Sequence, residues 1–130
     1  MASKSNTITK FETHWKKYWA LFLRGYQAPH SMTVSWSRRL GRGKAGDSTL
    51  RYVKVKGSWQ KLATIRISDQ YRRVDNMRDA EITFLHELAH VALAMVWPDG
   101  VSCTGNAIDS SVFRRVINEM IERGAYDGLL

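Results

Sequence analysis

Cysteine is nearly absent from this sequence, since Cys103 is the single one in 130 residues. One cysteine excludes an internal disulfide and a cysteine-rich zinc ribbon, and it is typical of a reducing compartment. Long apolar runs are absent too: the first seven residues are polar, and no run approaches the roughly 20 residues that cross a bilayer. We therefore expect a soluble, cytoplasmic or otherwise intracellular protein with no membrane partner.

The length allows one domain and little more. A chain of 130 residues that is 44% hydrophobic can bury one real core, but it is too short for two. Residues 1–9 are polar and show no periodicity, so they are predicted to form a flexible tail. The single domain is predicted to span residues 10–130.

Apolar periodicity predicts an α+β fold. Spacings of three and four predict three main helices: Lys10 to Tyr26, a second from a cap at Asp75 or Asn76 to about Trp97, and a third from a cap at Asp109 or Ser110 up to Gly124. Alternation between the first two helices predicts strands at 32–37, 50–56 and 62–68, with Val53, Val55, Ile65 and Ile67 inward. We expect a small, largely antiparallel three-stranded sheet packed against the three helices.

An H-E-x-x-H motif lies inside the second predicted helix. His86 and His90 are four residues apart, so they share one helix face, and Glu87 is offset beside them. Neutral imidazole suits Zn²⁺, and a carboxylate that is not a ligand can take a proton from the water that attacks a carbonyl. The sequence therefore predicts a zinc site with His86 and His90 as ligands and Glu87 as the catalytic general base.

Two histidines on an ordinary buried helix are the alternative interpretation. The neighbouring residues Leu85, Leu88 and Ala89 make the helix apolar around most of its circumference. Burial of an imidazole without a partner is costly, and a metal ion supplies that partner. This context favours the zinc site over satisfied core histidines.

A third ligand is needed, because a catalytic zinc site usually has three protein ligands and a water. No histidine follows His90. The candidates are Asp109 at the start of the last helix, Glu119 or Glu122 within it, Asp99 or Cys103 in the preceding loop, and His14 or His30 upstream. A loop that turns back after the zinc helix favours a downstream residue, and Glu119 would lie nearly three turns deeper than Asp109.

These residues and their neighbours resemble the SprT-like metalloprotease family, a zincin group. The resemblance covers roughly residues 10–124 and is carried by Val34-Ser35-Trp36, Ala45-Gly46, Ile65-Arg66-Ile67-Ser68, the segment from Thr83 to His90, and Phe113. It implies a leading helix, a small sheet, the His-Glu helix and a closing helix. The family usually has a third histidine in a His-Gly-x-x-Phe segment. Asp109 stands at the matching place here, so the resemblance implies Asp109 as the third metal ligand.

The resemblance also implies a function. It suggests a zinc metalloendopeptidase acting on unfolded or DNA-associated protein substrates. Aspartate in place of imidazole would make the zinc a somewhat weaker Lewis acid. The alternative is a non-proteolytic nucleic-acid- or protein-binding module that retains a structural zinc site.

Positive charge is concentrated in the first part of the chain. Residues 1–78 carry 17 Lys or Arg against four acids, whereas residues 79–130 carry three against eight. A basic, glycine-rich segment at 38–47 is predicted to be a flexible hairpin loop. Its cations are expected to contact nucleic acid non-specifically through phosphates: Arg38, Arg39, Arg42 and Lys44. A solvated basic face is the alternative interpretation.

Aromatic residues are interleaved with this charge. They are Trp36, Tyr52 and Trp59, all within or beside the predicted strands. Such rings can stack on nucleic-acid bases, although aromatic residues in strands usually pack against the core. The expected partners are a protein substrate, which the resemblance implies, and non-specific nucleic acid, which the basic sheet and loop indicate.

Overall fold

A computed structural model describes residues 5–40, 43–96 and 110–129. The elements in chain order are α1 (Ser5–Phe22), β1 (Ser31–Ser37), β2 (Gly46–Val55), β3 (Ser58–Ser68), α2 (Asp69–Arg73), α3 (Met77–Val96) and α4 (Ser110–Glu122). This is an α+β arrangement, as expected, with the short helix α2 added to the three predicted ones. Among the residues described, no helix combines the length and apolar character that crossing a membrane requires.

The sheet is mixed, so the prediction of a largely antiparallel sheet is wrong. Strand β3 lies in the middle, antiparallel to β2 and parallel to β1. The two-residue turn Lys56-Gly57, with φ angles of 50° and 84°, makes β2 and β3 an antiparallel hairpin. The longer β1–β2 connection places β2 at the far edge, which leaves β1 beside β3. Alternation reports which face a residue occupies, but it does not report which strand lies beside it.

The inward face of β2 is also the opposite of the predicted one. Ser48 is buried and Leu50 packs against the core, whereas Val53 is only half-buried and Val55 is 38% exposed. Both faces of the hairpin are exposed near its turn, so apolar residues there do not indicate burial. The inward positions in β3 are confirmed, since Ile65 and Ile67 are completely buried.

Helix α1 covers one side of the core with an aromatic stripe. It begins at Ser5 rather than at Lys10, so it includes part of the segment predicted to be a tail. Phe11, Trp15 and Trp19 recur every four residues and are all buried. The ring of Phe11 stacks on Phe84 of α3, with centroids 4.4 Å apart. Helix α1 therefore packs against α3 through this aromatic contact.

Helix α3 is the central element of the fold. Its predicted start is confirmed: Asn76 Oδ1 accepts the Asp79 N–H at 3.1 Å, and the Asn76 amide donates to Asp79 Oδ2 at 2.7 Å. Its end at Val96 agrees with the predicted end near Trp97. Every residue from 83 to 95 is buried except His86, so the helix opens to solvent at this one position of that stretch.

Gly46, the first residue of β2, lies directly against α3. A Cβ atom there would be 2.6 Å from Thr83 Cγ2 and 2.8 Å from the Arg66 carbonyl oxygen. It would also be 3.6 Å from Glu87 Cγ. Only a residue without a side chain fits here, and this close approach places the start of β2 beside the H-E-x-x-H motif.

Gly46→Ala should therefore destabilise the protein by about 1–3 kcal/mol, because the added methyl group overpacks the contact between α3 and the sheet. Denaturant unfolding of the parent and the variant measures this free energy. Thr83→Ser removes the nearer methyl group but retains the hydroxyl that donates to the Asp79 carbonyl oxygen at 2.8 Å. The double variant should recover only part of the loss, since the backbone contact with Arg66 remains. A Gly46→Ala variant as stable as the parent would contradict the close approach.

Candidate metal centre

The two imidazole rings of the motif face each other on α3. His86 Nε2 and His90 Nε2 are 3.2 Å apart, and the ring planes are inclined by 74°. Two nitrogen atoms bound to one tetrahedral zinc ion at 2.0–2.1 Å are about 3.3 Å apart. The separation of the two nitrogen atoms therefore matches that of a pair bound to one ion. A hydrogen bond between two neutral rings would have a similar length, so the distance also fits the alternative of satisfied histidines.

Electrostatics keep both rings in the metal-binding form. Burial, with a smaller contribution from the neighbouring His86, lowers the pKa of His90 to about 4. His86 is exposed as a residue, but its ring packs against His90 and Phe113, and this partial desolvation lowers its pKa as well. Both imidazoles are therefore neutral at pH 7, with ring nitrogen lone pairs available to a metal ion.

Phe113 of α4 covers the imidazole pair. Its ring stacks on His90 with centroids 4.2 Å apart, and it meets His86 at 4.9 Å with the planes inclined by 68°. These contacts restrict the orientation of both imidazoles and shield one side of the pair from water. The sequence identified Phe113 only as part of the family resemblance and gave no sign of this contact.

Glu87 is a buried carboxyl group beside the histidines. It is 5% exposed, and one potential ligand atom from each of His86, Glu87 and His90 lies within 4.8 Å of the others. The pKa of Glu87 is raised to about 7, mainly by burial and to a smaller extent by Asp47, against the opposing effects of Ser48 and Lys44. The Ser48 hydroxyl makes no direct hydrogen bond among the described residues, so it acts on Glu87 from a longer distance. A carboxyl group with this pKa can both accept and return a proton near neutral pH.

A cavity of about 490 Å³ opens in front of the cluster. One wall is a single face of α3, formed by Asp79, Thr83, His86 and His90 at helical spacing. The opposite wall includes Lys44, Ala45, Gly46 and Asp47, and Tyr71 of α2 completes the lining. Helical periodicity could have identified the α3 wall from the sequence. The wall at the start of β2 depends on the packing of Gly46 against α3, and no local sequence pattern predicts that contact.

The structure describes only some of the candidates for the third ligand. Three of them lie outside the described residues: Asp99, Cys103 and Asp109. Among the described residues, the others do not join the His86–Glu87–His90 cluster. Glu119 accepts a hydrogen bond from the Tyr26 hydroxyl at 3.1 Å, and His30 Nδ1 accepts the Lys61 N–H at 2.9 Å. His14 and Glu122 are exposed.

The structure describes three of the four predicted nucleic-acid contacts, Arg38, Arg39 and Lys44, and all three are exposed. Arg38 and Lys44 line a polar groove of about 200 Å³, where Arg38 Nε lies 3.2 Å from the buried carboxylate of Asp69. Arg72 and Arg73 also pair with Asp69. Arg39 is exposed outside this groove, and Arg42 lies outside the described residues.

No protein-family model matches the chain, and neither the curated proteins nor the solved structures include a match. The resemblance to the SprT-like family therefore remains an expectation that the quoted motifs carry.

Glu87→Gln should change the pH dependence of stability in the metal-free protein. The pKa of Glu87 is raised from 4.5 to about 7 on folding, so its stabilising contribution is full below about pH 4.5 and is lost as the pH rises through 7. The parent should lose about 2–3 kcal/mol relative to Glu87→Gln across this window. Denaturant unfolding in a chelator at several pH values measures the difference.

His90 acts in the opposite direction in the same experiment. Its pKa is lowered from 6.5 to about 4, so its contribution is full above pH 6.5 and is lost as the pH falls toward 4. Comparison of the variant with the parent cancels this effect, because both retain His90. The exposed Glu122→Gln is the matched control and should parallel the parent. Parallel curves for Glu87→Gln and the parent would show that Glu87 is not desolvated.

Proposed function

We propose that this chain is a zinc-dependent metallopeptidase that hydrolyses protein substrates. The observation that carries the proposal is the pair of neutral imidazole nitrogens, 3.2 Å apart, beside a buried carboxyl group at the wall of a cavity. Imidazole nitrogen with carboxylate oxygen is a donor set that zinc accepts in hydrolytic sites, and a separate carboxylate can then act on water. The spacing of the two nitrogens supports a shared ion.

His86 and His90 would hold the ion, with Asp109 as the third ligand. Asp109 directly precedes Ser110, where α4 begins, and Phe113 in the first turn of α4 contacts both imidazole rings. This connectivity supports Asp109, because the chain meets the imidazole pair within about one helical turn of it. Glu119 lies about 9 Å farther along α4 than Phe113. It is also hydrogen-bonded to Tyr26, which counts against it as a ligand.

Zn²⁺ bound here would supply a Lewis acid and a water of lowered pKa. Glu87 would accept a proton from the attacking water and return it to the amine that leaves, as general base and then general acid. Its position between α3 and β2 holds the carboxyl group beside the imidazoles. A cation close to Glu87 favours its ionised form, so the carboxylate would be ready to accept the proton at neutral pH.

The edge of the sheet supports a peptide as the substrate. Strand β2 is an edge strand, and its first two residues, Gly46 and Asp47, line the cavity. At the other edge, the Val34 N–H of β1 donates to Glu12 Oε2 of α1 at 2.9 Å, so a side chain already occupies part of that edge. An extended peptide could add to β2 through backbone hydrogen bonds and would then pass His86.

The proposal includes non-specific association with nucleic acid through the basic loop. Its support is the exposure of Arg38, Arg39 and Lys44, of which Lys44 lines both the cavity and the polar groove that includes Arg38. Such contacts would hold the enzyme near nucleic-acid-bound proteins without any sequence preference.

Purified parent protein should contain one zinc per chain and degrade an unfolded protein such as casein. Glu87→Gln should retain the zinc and lower the rate of hydrolysis by about 10²- to 10⁴-fold, because only the proton transfer is removed. Elemental analysis and a casein-cleavage assay measure the two quantities, with Glu122→Gln as the control. Undiminished hydrolysis by Glu87→Gln would contradict the mechanism. A parent with zinc and no hydrolysis would favour the binding module with structural zinc.

Asp109→Ala should weaken zinc binding by more than about 100-fold, because it removes a direct ligand. Asp109→His should preserve binding and raise hydrolytic activity if the imidazole fits, because a neutral ligand leaves the metal more electrophilic. Glu119→Ala is the matched control and should bind zinc like the parent. Competition titration with a chromophoric chelator measures the affinities. Loss of zinc in Glu119→Ala but not in Asp109→Ala would reverse the assignment.

A further inference from the structure

Two aromatic side chains are exposed on one face of the β2–β3 hairpin. Trp59 is 64% exposed and Tyr52 is 43% exposed. Tyr52 pairs across the strands with Lys61, and Lys54 pairs with Trp59, so all four side chains share one face. Trp36, the third aromatic residue singled out in the sequence, is partly buried and packs against the core.

A lysine lies over each of these rings. Lys61 Nζ is 5.5 Å from the Tyr52 ring centroid, and Lys54 Nζ is 5.9 Å from the Trp59 ring centroid. Residues 51–61, here called the hairpin surface, contain four cations and no acidic residue. The basic residues around Asp69 are different, because Arg38, Arg72 and Arg73 all pair with its carboxylate. The hairpin surface therefore keeps its positive charge available to an external anion.

We propose that the hairpin surface binds single-stranded nucleic acid. Tyr52 and Trp59 stack on bases, while Lys54 and Lys61 move from the rings to the phosphates. Exposed aromatic rings among cations are the combination that binds single strands without sequence preference. Tyr52 and Trp59 occupy diagonal positions, which lie about 7–8 Å apart on a sheet, whereas bases in a duplex are stacked about 3.4 Å apart with their faces hidden. A single strand can place unstacked bases on both rings, and a duplex cannot.

The proposal does not rest on the metal centre. No residue from 51 to 61 lines the cavity, and Val55 is about 30 Å from Gly46 along β2, at nine residues of about 3.3 Å each. Failure of zinc binding or of proteolysis would therefore leave the hairpin surface unaffected. Binding also uses only base faces and phosphates, so single-stranded DNA and RNA of equal length should bind alike.

Fluorescence anisotropy with labelled oligothymidine and oligouridine of about 15 nucleotides tests the proposal. The parent should bind both within a few-fold of each other and more tightly than a duplex of the same length. Tyr52→Ala with Trp59→Ala should weaken binding at least tenfold, since each lost stack corresponds to roughly 5- to 150-fold. Leu21→Ala, which truncates a 50% exposed side chain on α1, should bind like the parent.

Two further variants separate stacking from charge. Tyr52→Phe with Trp59→Phe retains both ring faces and should bind within a few-fold of the parent, even if the alanine variant folds poorly by circular dichroism. Lys54→Gln with Lys61→Gln should reduce the slope of log affinity against log salt by about 1.4, because two phosphate contacts are lost.

Three results would overturn the proposal. One is that the alanine variant binds the oligonucleotides like the parent while Arg38→Gln with Arg39→Gln abolishes binding, which would leave the basic loop of the proposed function, and not the hairpin surface, as the binding site. Another is that the parent binds an oligoglutamate peptide through Tyr52 and Trp59 and does not bind either oligonucleotide. The last is that the parent binds no oligonucleotide but forms a dimer in sedimentation that the alanine variant loses.

Discussion

Helix α3 places a carboxyl group and an imidazole inside the core, and the rest of the structure depends on how those polar groups are accommodated. Glu87 and His90 are almost fully buried among apolar neighbours, and burial disfavours the charged form of each. The helix could remain in this position only if other elements packed closely around the polar groups. Gly46 permits this on the strand side and Phe113 on the α4 side, so two contacts of the core also lie against the cluster of His86, Glu87 and His90.

The parts of the fold that depend on local interactions could be predicted from the sequence. Asn76 as the cap of α3 and the inward positions of Ile65 and Ile67 follow from hydrogen bonding and periodicity over a few residues. The order of the strands could not, because it depends on the turn at Lys56-Gly57 and on a longer connection whose path leaves no apolar pattern. The same division holds at the site. The cluster of His86, Glu87 and His90 follows from helical spacing, while Ser48 reaches Glu87 only through tertiary packing.

The net charge of the first part of the chain combines two different kinds of basic residue. Arg66 forms an ion pair with Asp47 across β2 and β3, and Arg38 pairs with Asp69, so these guanidinium groups are partly neutralised. The cations of the hairpin surface have no acidic neighbour within their own segment. A count of charges treats all of these residues alike, whereas an external polyanion would distinguish them by what each already binds.

At the turn of the hairpin, the backbone conformation of one residue lowers the stability of the fold, while its side chain supplies a positive charge. Lys56 has a φ angle of 50°, in a region where a side chain other than that of Gly, Asn or Asp costs about 1 kcal/mol or more. Asparagine or glycine would relax this two-residue turn and would remove a cation from the tip of the hairpin. The chain thus has a lysine at a position where the free energy of folding favours glycine or asparagine. Selection for a rigid hairpin and selection for a basic tip would act on position 56 in opposite directions.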